Sequence, residues 1–72
     1  MAFEKETKVL NLLQEEKELR EQIVKSYGEN LSLQDKLDIL LHKKAITYLN
    51  AQIERATAYI VEGIKHNEKT NK

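Results

Sequence analysis

Residues 39–60 read ILLHKKAITYLNAQIERATAYI, and within them isoleucine returns at every seventh position: Ile39, Ile46, Ile53 and Ile60. Positions seven apart differ by only about 20° around an α-helix, so an apolar period held this long marks a seam packed against other helices. At 100° per residue the arc widens to about 160° and takes in Leu41, Ala45, Tyr48, Leu49, Ala56, Tyr59 and Ile64. One neighbouring helix does not need so broad a stripe. The arc's centre holds Ala45, Gln52, Ala56 and Gly63, small or polar residues that let backbones approach closely. With isoleucine at heptad position a, position d reads His42, Leu49, Ala56, Gly63, a shrinking series unlike a parallel zipper.

Upstream, Tyr27-Gly28-Glu29-Asn30-Leu31-Ser32 is the one cluster of turn formers. Gly28 suits the left-handed residue that closes a helix. Ser32 reads as an N-cap answered by Asp35 three residues on, a weaker form of the capping box. The expected fold is therefore all-α, a single helical-hairpin domain: helix 1 over about 3–27, a turn at 28–32, helix 2 over about 33–66 and a frayed tail at 67–72. A break near Lys43 and Lys44 would instead fold the distal half of helix 2 back as a third helix. Acid-first pairs at i,i+4 support helix 1: Glu4 with Lys8, Glu16 with Arg20 and Glu21 with Lys25.

At 1.5 Å per residue the two helices span roughly 37 and 50 Å. A symmetric turn sets Ile23 near Leu37, Leu12 near Tyr48 and Phe3 near Thr57, leaving residues 58–64 beyond helix 1. That overhang carries Tyr59, Ile60, Val61 and Ile64, a patch that calls for a partner. The width of the arc and the overhang together point to a homodimer of antiparallel hairpins, a four-helix bundle. Its expected interface, to a second copy or to an unidentified protein, comprises Ile39, Ile46, Leu49, Ile53, Ala56, Tyr59, Ile60, Val61, Gly63 and Ile64.

Helix 1 offers Val9, Leu10, Leu12, Leu13, Leu19, Ile23, Val24 and Tyr27 on one face, with Glu16 and Arg20 near its middle. The symmetric register sets those charges opposite Asp38 and His42. The expectation is a polar layer of Glu16, Arg20, Asp38 and His42, because buried charges must satisfy one another. Such a layer fixes register.

Composition narrows the function. The chain has 72 residues, no Cys and no Pro, and its 12 basic and 12 acidic residues cancel. A chain this short has a thin core that needs reinforcement, and disulfides and cysteine metal sites are excluded. No overall field draws the protein to nucleic acid or an anionic membrane. No apolar run approaches a membrane span and the first residues do not read as a signal peptide, so a cytoplasmic location is expected.

Asp38 with His42 and Glu62 with His66 have the i,i+4 spacing of two metal ligands, but two ligands do not make a site and no Glu-x-x-His occurs. No metal or cofactor is expected. There is no Ser-His-acid set and no glycine-rich phosphate loop, so the chain is not expected to be an enzyme. The favoured reading is a noncatalytic protein-interaction module, a small regulator or adaptor. The alternative is an RNA- or DNA-binding dimer using Lys36, Lys43, Lys44, Arg55 and Lys65 on the outer side of helix 2, interrupted by Glu54 and Glu62.

Overall fold

The computed structural model describes the backbone of residues 3–70 and the side chains of residues 3–65. Two helices, α1 (Glu4–Ser26) and α2 (Leu33–Thr70), pack against each other as a hairpin. The rod measures 61 × 16 × 14 Å. Its radius of gyration, 17.2 Å, is well above the about 11 Å of a compact domain of this length. α2 passes through Lys43 and Lys44 without interruption, so the third-helix arrangement does not form. It continues past His66 to Thr70, while Asn71 and Lys72 of the expected tail lie outside the described residues.

The turn follows its chemistry with one exception. Ser32 and Asp35 cap α2 reciprocally: the Asp35 N–H donates to Ser32 Oγ at 3.0 Å and the Ser32 N–H to Asp35 Oδ2 at 3.1 Å. The exception is Gly28, expected in the left-handed region, since neither glycine has positive φ. α1 ends instead at Tyr27, whose backbone turns extended (φ −72°, ψ 139°) while its N–H donates to the Val24 carbonyl at 3.4 Å. An extended exit requires no glycine.

Half-buried positions define the seam. On α1 they include Phe3, Leu10, Lys17 and Val24 in one row and Glu6, Leu13, Arg20 and Tyr27 in the other, each spaced by seven. On α2 they are the isoleucine row together with His42, Leu49, Ala56 and Gly63. This is the a/d pairing of an antiparallel coiled coil. Leu49 is the one buried hydrophobic residue, at 4 % exposure. Lys17 and Glu6 can sit in the seam because their stems cover apolar surface while their charges reach water.

The register differs from that of a symmetric turn. Phe3 lies against Gly63, where an added Cβ would come within 2.5 Å of Phe3 Cζ, and Tyr27 reaches Asp38. The expected facing of Phe3 with Thr57 does not occur, and α1 covers α2 as far as Gly63. The cause lies in residues 27–32, which run beside the first turn of α2 instead of reversing directly. α1 therefore begins to pair about one turn inside α2, and the expected bare segment from residue 58 is largely covered.

Candidate interaction face

The hairpin conceals little of its apolar surface. Twelve large hydrophobic residues are exposed: Val9, Leu12, Leu19, Ile23, Leu33, Leu37, Leu40, Leu41, Tyr48, Tyr59, Val61 and Ile64. Their placement is ordered. On α1, Val9 and Ile23 share a heptad row with Glu16, and Leu12 and Leu19 form the next row; both flank the seam on the side of Leu13 and Arg20. On α2, Leu41 and Tyr48 share a row, and Tyr59 shares one with Asp38, Ala45 and Gln52, on the side of His42 and Leu49.

Hydrogen bonds show that these flanks belong to the same side of the rod. Arg20 Nη1 donates to His42 Nδ1 at 3.1 Å, and the Tyr27 hydroxyl donates to Asp38 Oδ2 at 3.4 Å. Both join a residue on the α1 flank side to one on the α2 flank side. Seven of the twelve exposed hydrophobics thus share one broad face. The opposite face carries Thr7, Gln14, Glu21, Lys43, Asn50 and Thr57.

A polar group interrupts the apolar face at its centre. Arg20 Nε donates to Glu16 Oε2 at 2.9 Å while its Nη1 reaches His42. Arginine can only donate, so His42 accepts through Nδ1 and carries its ring proton on Nε2. Asp38, expected in the same layer, bonds elsewhere: it accepts from Tyr27 and from Gln34 Nε2 at 3.2 Å. The register shift explains this, since Asp38 sits level with the end of α1. Partial burial, the Asp38 charge, their hydrogen bond and the Asp35 charge together raise the Tyr27 pKa above its ordinary value.

The other sequence-derived residues fall as follows. Ile39, Ile46, Ile53, Ile60, Ala56 and Gly63 are half-buried in the seam around buried Leu49. Tyr59 lies on the broad face, 64 % exposed. Val61 and Ile64 project from the other flank near the end of α2. Lys36, Lys43, Lys44, Arg55 and Lys65 are all exposed but occupy three rows: Lys36 with Lys43, Lys44 with Lys65, and Arg55 in line with Leu41 and Tyr48. Among the described residues no three His, Asp or Glu side chains gather as metal ligands would; the His66 side chain, half of the Glu62–His66 pair, lies outside them. No helix there is long and apolar enough to cross a membrane.

The sequence-derived interface omitted Val9, Leu12, Leu19 and Ile23, although their 3-4-3-4 spacing around Glu16 was readable. Comparison with protein families, characterised proteins and solved structures found no match to this chain.

Proposed function

We propose that this chain is a noncatalytic protein-interaction module, a small regulator or adaptor. It works as a homodimer of two hairpins packed apolar face to apolar face in a four-helix bundle. The observation that carries the reading is the imbalance between one buried hydrophobic residue and seven exposed ones on a single face. Monomers rarely expose contiguous apolar surface on this scale, and a polar-rimmed patch of this kind marks a protein contact. A face framed by edges of 61 and 16 Å has room for the about 800 Å² per partner of a standard interface.

Val61 and Ile64 lie off that face, so contact with a foreign protein would fall there, at the distal end of α2. Sedimentation equilibrium tests the self-association: twice the chain mass supports it, and a single-chain mass at tens of micromolar overturns it. Val61→Glu with Ile64→Glu should leave the doubled mass intact.

The exposed basic side chains support a second reading, nucleic-acid binding by the outward side of α2. It requires affinity that falls steeply with salt and that Lys43→Glu with Lys44→Glu abolishes.

A further inference from the structure

We infer that the second copy lies with its α1 across α1 and its α2 across α2, about a twofold axis crossing the hairpin near Glu16 and Tyr48. This rests on the homodimer proposed above and adds its orientation. Two identical hairpins can stack face to face with closed symmetry in two ways. An axis along the helices sets α1 over the partner's α2. An axis across them sets each helix over its own copy, running antiparallel.

Two observations favour the axis across the helices. The first is that each exposed row is close to a palindrome. On α1, Val9 and Ile23 stand seven residues either side of Glu16, with Leu12 and Leu19 four before and three after. On α2, Leu41 and Tyr59 stand nine residues either side of position 50, with Tyr48 and Gln52 two either side. Contacts of Phe3 with Gly63, Arg20 with His42 and Tyr27 with Asp38 set Glu16 level with residues 46–50 of α2. The two centres coincide along the rod, so one axis serves both helices. Packing within the hairpin imposes no such symmetry on its outward rows.

The second observation is charge. Arg20 and Glu16 are 33 and 49 % exposed at the middle of an apolar face, and dimerisation would bury them. Burying charge is costly without a counter-charge. Across the proposed axis, Glu16 and Arg20 meet Arg20 and Glu16 of the partner subunit, a reciprocal set of opposite charges. With the axis along the helices they would face Tyr48, Ala45 and Leu41 of the partner subunit, which carry no charge.

The chain has no cysteine, so single-cysteine variants report the geometry without interference. Glu16→Cys sits beside the axis, within the about 7 Å Cα separation a disulfide needs, and should oxidise to a covalent dimer. Ile23→Cys, about 20 Å from its own copy at 1.5 Å rise per residue, should stay unlinked. Because Glu16→Cys removes a charge, a mixture of Leu12→Cys and Leu19→Cys chains provides a second reading, expected to link predominantly to each other. Absence of both linkages in a protein that still sediments as a dimer overturns the orientation alone. So does efficient linkage of Leu12→Cys to Gln52→Cys chains. A single-chain mass for the unmodified protein overturns the homodimer and the orientation together.

Discussion

Tyr27 ends α1 with its backbone and secures the turn with its ring, and the second role makes it a reporter of folding. Its hydroxyl donates to Asp38 at 3.4 Å, and partial burial followed by the neighbouring carboxylates raises its pKa. The folded chain therefore favours the neutral phenol. The stabilisation is fully present below the unfolded value of about 10 and is lost as pH rises through the higher folded value. In a Tyr48→Phe, Tyr59→Phe background, phenolate absorbance should appear at higher pH in the folded protein than in urea. Equal midpoints would show that the Asp38 contact does not persist in solution. Ser32 is the other residue on which the turn depends. Ser32→Ala strands the Asp35 N–H that now donates to Ser32 Oγ, and should cost about 1 kcal/mol in thermal unfolding.

Between the two helices, the seam is held by a short list of side chains. Leu49→Ala removes the one buried hydrophobic residue and should cost about 2 kcal/mol, the low end for such truncations because a thin rod can close around the gap. Lys17→Leu should act in the opposite direction. Lys17 is half-buried in the row of Phe3, Leu10 and Val24, so an apolar side chain there gains roughly 1 kcal/mol of burial. Chemical denaturation of both variants checks the pair, and a destabilising Lys17→Leu would place that position outside the seam. The seam on α2 was legible because its period is local: isoleucine every seventh residue needs no knowledge of the partner. The cap was legible because Ser32 and Asp35 are three apart. The register was not, since it depends on the path of residues 27–32 beside α2, which no spacing records. For the same reason α1 read as one apolar arc, whereas the structure divides it into a seam with Lys17 and Arg20 and an outward row with Leu12 and Leu19. Which half of an arc faces inward is decided by the partner helix.

At the scale of the whole molecule, a rod with a 17.2 Å radius of gyration and one buried hydrophobic residue has too small a core to be stable alone. Folding and association should therefore be linked, with a melting temperature that rises with protein concentration as mass action requires. Leu12→Glu with Leu19→Glu places two carboxylates on the apolar face beside Glu16. Near the proposed axis they would confront the same charges on the second copy. Helical signal should fall sharply at micromolar concentration and recover as concentration rises. The same number of charge changes on the polar outer side, Lys43→Glu with Lys44→Glu, should leave the melting curve nearly unchanged. Equal loss in the two double variants would mean that net charge, not face, governs stability. A melting temperature independent of concentration in the unmodified chain would mean that a single hairpin folds by itself, leaving the apolar face free for a foreign helix.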